Sequence, residues 1–378
     1  MVSRSKKDYL ARIKDRYRHA GRKHKKVILD EFCAVCGHHR KHAIRLLNGD
    51  GRKRHKKPGR PPKYGEEEIR VLEDIWLNAD RPCSSRLVGM IPLWLPHYEK
   101  QYGDLEASTR QKLYNAKPRT LDRLLKPVRK KHGGKGLSGT KAGQYLKNSI
   151  PIKISHADVN EPGWMQADTV AHCGSSLEGN FVWSLTFTDI YSGWTCNAAV
   201  WNKGEAGVFA QLQRMEDILP FAIKGFHSDN GGEFINWHLE SYYRKRPQPV
   251  KMTRGRPGKK NDNPHVEQKN YTHVRLLLGW SRIEDSELIR DINQMYDAAN
   301  LLSNFFCANR RLVYKERRGS RYYKRYDEPM TPADRLLNSP DLNEAQKTHI
   351  CEMKCNLDPY KLRAIIDAKQ RAILTRLR

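Results

Sequence analysis

Three segments rich in aromatic and β-branched residues follow one another between residues 163 and 201: GWMQADTVAH (163–172), FVWSLTFTDI (181–190) and GWTCNAAVW (193–201). Side chains of this kind suit a pleated, half-buried surface. Tyr191-Ser192-Gly193 forms a tight hairpin turn between the last two, so the three predicted strands are mostly antiparallel. Helical and strand patterns then alternate: a helix over 204–218, a strand over 221–228, a helix over 234–245, a short strand over 249–253 and a helix over 263–280. This β-β-β-α-β-α-β-α order predicts an α/β domain in the middle of the chain, and everything else must be arranged around it.

The flanks are basic. The chain holds 70 Lys+Arg against 42 Asp+Glu, a net charge of +28, and residues 1–60 carry 20 Lys/Arg with only 5 Asp/Glu. An excess of this size points to a polyanionic partner. No apolar run long enough to span a bilayer, signal peptide or lipidation motif is present, so the expectation is a soluble, cytoplasmic, nucleoid-associated protein with no membrane partner. KKVILDEFCAVCGHHRKHAIRLL (25–47) reads as two short helices broken at Gly37, an N-terminal helix-turn-helix (1–50) whose second helix presents Arg40, Lys41 and Arg45 to a DNA groove. GRKRHKKPGRPPKYG (51–65) reads as an extended basic arm, with Arg60 in an AT-hook-like setting suited to a narrow minor groove. A plain basic linker is the other reading of that arm.

Residues 66–131 are expected to form a second helical DNA-binding domain. It opens on an amphipathic helix (66–77) and closes on a further helix-turn-helix with caps at Ser108 and Thr120, which offers Arg119 and Arg123 to DNA. A glycine-bearing linker (132–155) separates it from a core over 156–281. The C-terminal region (282–378) contains a helix over 286–306, a basic hairpin over 309–326 that alternates aromatic and cationic residues around Gly319, and two helices, 332–338 and 360–377. The eight cysteines are too scattered for a disulfide framework. Cys33 and Cys36, with His38, His39 and His42, are either a zinc set or part of the compact helical pair; a second ligand pair at finger-like spacing is missing, which favours the helical pair.

Within the core, three carboxylates stand out by context, each with a plainer alternative: an exposed strand position for Asp168, an Asx-turn for Asp229 and a surface helix position for Glu267. Asp168 interrupts a strand otherwise apolar around it, Asp229 follows the strand AIKGFHS and precedes two glycines, and Glu267 lies one turn into a helix entered through Asn263-Pro264. Lys269, Asn270 and His273 lie on the same or adjacent faces of that helix, in reach of a phosphate or base.

The blocks ADTV, HSDNGGEF and NDNPHVEQKN, together with DIYSGW (189–194), resemble the signature blocks of the retroviral-integrase-type catalytic core of bacterial insertion-sequence DDE transposases. The resemblance implies an RNase H-like mixed five-stranded sheet flanked by helices, with Asp168, Asp229 and Glu267 meeting at one edge as catalytic residues and metal ligands. It also implies Mg2+, with Mn2+ as a substitute, in a two-metal-ion phosphoryl transfer that cleaves element ends and joins their 3′-OH groups to target DNA. Double-stranded DNA and a homo-oligomer formed on it are the expected partners, and no organic cofactor is expected. A nuclease on the same fold without strand transfer, or a non-catalytic DNA-binding regulator, are the alternatives.

Overall fold

The structure, a computed structural model, describes residues 3–49, 63–132, 159–228, 234, 237–254 and 264–377. The AT-hook-like arm with Arg60, the glycines of the linker and Asp229 lie outside the described residues. The chain divides between Lys63 and Tyr64 into two compact units.

The first unit packs α1 (Ser3–His19), α2 (Arg22–Cys36) and α3 (Arg40–Asn48) around Ile13, Tyr17, Ile28, Leu29, Phe32, Cys36, Ala43 and Leu47. Gly37 ends α2 in the left-handed conformation (φ 67°) and its N–H bonds the Cys33 carbonyl, a conformation that costs glycine no Cβ clash. The sequence pattern predicts that the following helix starts at His38. It starts at Arg40, because the His39 side chain accepts the Lys41 N–H and serves as the N-cap. Helix α1 was not anticipated; its apolar stripe of Tyr9, Leu10, Ile13 and Tyr17 is thin among basic residues and acquires meaning only against Phe32, on which Tyr9 stacks. Cys36 lies in this core, and among the described residues no three His, Cys, Asp or Glu are grouped to hold a metal ion.

The second unit opens with α4 (Glu66–Asn78), α5 (Ser84–Tyr102), α6 (Ala107–Tyr114), α7 (Pro118–Leu124) and α8 (Lys126–His132). Helix α5 was missed because Pro92 and Pro96 lie inside it. Each proline costs an interior helix about 3 kcal/mol. Both are exposed, however, while Leu87, Met90, Ile91, Trp94, Leu95 and Tyr98 are buried on the opposite stripe, and at about 1.5–3 kcal/mol per side chain that burial outweighs the defect. The expected caps also move: Glu106 and Lys117, not Ser108 and Thr120, precede α6 and α7, since Pro118 takes the first helical position.

The five-stranded sheet has the order β3-β2-β1-β4-β5, where β1 is Trp164–Ala171, β2 Val182–Asp189, β3 Thr195–Trp201, β4 Gly225–Ser228 and β5 Lys251–Arg254. The first three pair antiparallel, while β4 runs parallel to β1 and β5 parallel to β4. The fold is therefore α/β with a mixed five-stranded sheet flanked by helices. Gly225 is required where it stands, because a Cβ there would collide with the Trp164 indole. Helix α9 (Glu205–Asp217) packs on β3, and α10 (Trp237–Arg244) lies between β4 and β5 in sequence.

The free edge of β3 is closed by side chains. Helix α12 (Leu288–Phe306) follows α11 (Pro264–Lys269, continued by a π-helical stretch Asn270–Arg275 and by Leu276–Leu278). From α12, Asn293, Asn300 and Asn304 each accept the N–H and donate to the C=O of one strand residue, Ala199, Asn197 and Thr195 respectively. Asn293 to Asn304 spans about 16 Å of helix and Ala199 to Thr195 about 13 Å of strand, so the amides keep step with alternate strand residues. Backbone groups that would template another strand are thereby satisfied.

Beyond α12 come β6 (Leu312–Arg318), β7 (Arg321–Tyr326), α13 (Pro332–Leu337), α14 (Glu344–Cys355) and α15 (Pro359–Arg376). Trp94 of α5 donates to the Phe306 carbonyl at 3.0 Å, Tyr360 of α15 to Asp74 at 2.7 Å, and Arg363 to the Asn78 carbonyl at 2.8 Å. Helices α4–α8 and the helices after the sheet thus belong with it to the second unit. Among the described residues, no helix is long and apolar enough to cross a membrane.

Candidate active site

Asp168 lies at the middle of β1, the central strand, opposite Thr186 of β2. Side chains alternate across a strand, so Gln166 and Asp168 share one face of the sheet, and α11 crosses that face. Gln166, fully buried, accepts the His265 and Val266 amides at 3.2 and 3.3 Å. These are first-turn donors that a helix leaves without partners; a strand side chain caps the helix. Four residues further on, Asn270 donates to Asp168 Oδ2 at 2.6 Å, while the Thr169 N–H meets Oδ1 at 2.8 Å. Two bonds to β1 therefore bracket the turn that carries Glu267, three residues before Asn270 and on its side of the helix.

Helix α11 was expected to be regular. Its sheet-facing residues, Val266, Asn270, Val274 and Leu278, recur at a strict interval of four. That stripe drifts around an α-helix by about 40° per step, and the wider π turn over Asn270–Arg275 reverses the drift. Arg275 then reaches the end of β1, donating to the Ala171 carbonyl at 2.9 Å.

The third predicted carboxylate, Asp229, is outside the described residues. Its approach is not: β4 pairs with β1 in parallel, His227 with Gln166 and Ser228 with Ala167, and the next residues in the two sequences are Asp229 and Asp168. His227 is fixed at this end of β4 by a 2.8 Å bond to Thr253 of β5.

The chain is 36% identical over 334 residues to the uncharacterized protein y4rM of Sinorhizobium fredii (strain NBRC 101917 / NGR234), a match covering 85% of this chain and 92% of that protein. The chain belongs to the y4rM family. No family model matches it. Among solved structures, this y4rM relative is similar to the catalytic core domain of BIV integrase in crystal form I, with 14% identity and a TM-score of 0.31 over 47% of this chain and 94% of that one. A likeness that faint carries no weight beside the hydrogen bonds described above.

Elsewhere on this y4rM-family chain, the predicted contact residues divide. Lys41, Arg45, Arg119 and Arg123 are exposed on α3 and α7; Arg40 is exposed too but is held in an ion pair with Asp30. Lys269 and His273 are half-buried on α11. Burial, with Arg86 and Arg335 near it, lowers the Lys269 ammonium to about 8. His273 is held well below its usual value by burial, Lys269 and Arg86, and bonds Ser303 at 2.9 Å. Asn270, expected to touch DNA, touches Asp168 in this structure. Gln166 carries no motif in the sequence, and its place two residues before Asp168 in a strand is the one signal that marks it.

The DIYSGW segment has a structural task. Asp189 is fully buried and accepts from Gly163 N, Ser192 N and the Ser192 hydroxyl at 2.9, 2.7 and 2.6 Å, closing the β2–β3 turn. Burial pushes its carboxyl up to about 6 against these donors.

Proposed function

We propose that the protein is a DNA transposase of the DDE type, which binds the ends of a mobile element, cleaves them and joins the freed 3′-OH ends to target DNA. Asp168, Asp229 and Glu267 are the metal-binding carboxylates of this reading, on an RNase H-like core. The observation that supports it most is the double attachment of α11 to β1, Gln166 to the first-turn amides and Asp168 to Asn270, with Glu267 between them. A surface glutamate on an unrelated helix would have no such registration with an aspartate 99 positions earlier in the chain. The basic excess of the chain favours a polyanionic substrate.

Carboxylate oxygens suit a hard divalent cation, and the side chain that meets Asp168 is the neutral amide of Asn270 rather than an ammonium, so the residues present fit Mg2+, with Mn2+ as a substitute. When bound, such ions supply Lewis-acid stabilisation of in-line displacement at phosphorus. The chain's own contribution is orientation. Asn270 holds one Asp168 oxygen, and its Oδ1, buried without a partner among the described residues, is an acceptor for water at the site. Gln166 fixes the angle of the Glu267 turn, and the central strand provides a rigid base.

Asp168→Asn is the direct test, because the near-isosteric amide loses the charge and keeps one acceptor oxygen, giving up one of the two bonds from Asn270 and the Thr169 N–H. Mg2+-dependent nicking of the element end and transfer of a pre-cleaved 3′-OH end should both fall by about 10³-fold or more, with DNA affinity retained. Strand transfer that survives in the variant rejects the assignment. Wild-type protein that nicks but never joins a pre-cleaved end is a nuclease.

A further inference from the structure

Strands β6 and β7 form a two-stranded ribbon separate from the main sheet, turning at Gly319 (φ 61°), and none of their residues is buried. A ribbon of this kind is marginally stable alone. This one is rooted: Arg335, 5% exposed, bonds the Asn309 carbonyl, Asp327 and the Ser192 carbonyl, Arg311 donates to the Tyr191 carbonyl, and Asn309 bridges to Met330. The ribbon is a projecting finger whose base is clamped to the β2–β3 turn.

Its charges are placed against its own stability. Lys315 faces Lys324 and Arg318 faces Arg321 directly across the strands, and like charges in that relation are destabilising. Glu316 is the single acid between Leu312 and Tyr326. From the register, Lys315, Arg317 and Lys324 occupy one face and Arg318, Arg321 and Arg325 the other. Tyrosines hold these cations in place: Lys315 lies 4.5 Å from the Tyr322 ring, Arg318 4.6 Å from Tyr323, and Arg325 6.0 Å from Tyr314.

A flat polyanion, such as a membrane surface, would engage cations on one face only. Cations on both faces match a slot with phosphate on either side. The major groove of B-form DNA is about 12 Å wide and admits a two-stranded ribbon, whereas the deep, narrow major groove of A-form RNA does not. We propose that the β6–β7 ribbon is a finger that enters the major groove of duplex DNA, with Lys315, Arg317 and Lys324 toward one phosphate backbone and Arg318, Arg321 and Arg325 toward the other. This rests on the reading that the protein acts on DNA, and adds where the duplex is gripped.

The test uses the full chain with Lys315→Gln/Lys324→Gln, Arg318→Gln/Arg321→Gln and the four changes combined, titrated by fluorescence anisotropy against a duplex of about 30 base pairs over a range of salt. Each pair should lower the slope of log K against log salt by about 2, and the four together by about 4. The melting temperature should stay level or rise, because repulsion has been removed. The proposal is overturned if the variants keep the parental slope, if only one face matters, if melting temperature falls with affinity, or if the parent binds duplex RNA or phosphatidylserine vesicles as tightly as duplex DNA. Parental protein that binds no DNA sinks the functional reading as well; an unchanged slope with intact Mg2+-dependent cleavage sinks the finger alone.

Discussion

At the scale of single residues, the sequence marked where a charge was out of place but not what it would touch. Asp168 is legible because a carboxylate among apolar strand residues needs a partner; that Asn270, 102 positions away, is one is not. Lys269 and His273 stand out in the sequence as candidate DNA contacts because they are polar and near Glu267, and in the structure both are half-buried. His172 shows what a buried titratable group does to stability. It is fully buried, bonds Ser184 at 2.8 Å, which in turn meets Tyr296 at 2.7 Å, and burial lowers its imidazole to about 3. The folded state keeps it neutral while the unfolded chain takes up a proton near pH 6.5, so the unfolded state binds more protons below that pH and stability falls as pH falls from about 6.5 toward 3. Between pH 6.5 and 5 the loss is about 2 kcal/mol. Urea unfolding at pH 7.5 and pH 5 should show the parent losing about that much more than His172→Gln; equal losses would contradict the linkage.

At the scale of elements, the succession of core strands along the chain and the helix after each later strand are readable from periodicity, because those patterns are local. Three features are not. The prolines of α5 disguised a helix whose buried stripe is decided by the surfaces it meets, α1 waited on Phe32, and the asparagines of α12 looked like neutral polar residues on an amphipathic helix. Only the sheet edge gives them a role. Asn300→Ala would strip both backbone groups of Asn197 of their partners, and at about 1–3 kcal/mol per unsatisfied group the cost should be about 2–6 kcal/mol in urea unfolding. Gln294→Ala, exposed on the same helix, is the control and should stay within about 0.5 kcal/mol of the parent. If the two variants unfold alike, the ladder is ornamental.

For the whole molecule, the division between Lys63 and Tyr64 and the clasp of α4–α8 on the C-terminal helices make opposite predictions for two truncations. Removing residues 1–63 should leave the melting transition of the remainder within about 2 °C of its value in the full chain. Removing residues 1–158 should abolish cooperative melting by circular dichroism, since Trp94, wedged between Phe306 and Tyr360 at ring distances of 6.4 and 5.3 Å, and its neighbours would be lost from the core. A sharp transition in the shorter fragment would show that the clasp is dispensable. By itself the sequence determined the succession of strands and helices, the strand and helix positions of Asp168 and Glu267, and the cationic character of the chain, since each depends on a residue and its near neighbours. Only the tertiary structure decided that α11 lies across β1 through Gln166 and Asn270, that α12 closes the sheet edge, and that helices on both sides of the core share one interior. Those arrangements are made by side chains bonding groups about one hundred to three hundred residues away, and contacts at such separation leave no period in a sequence for a reader to find.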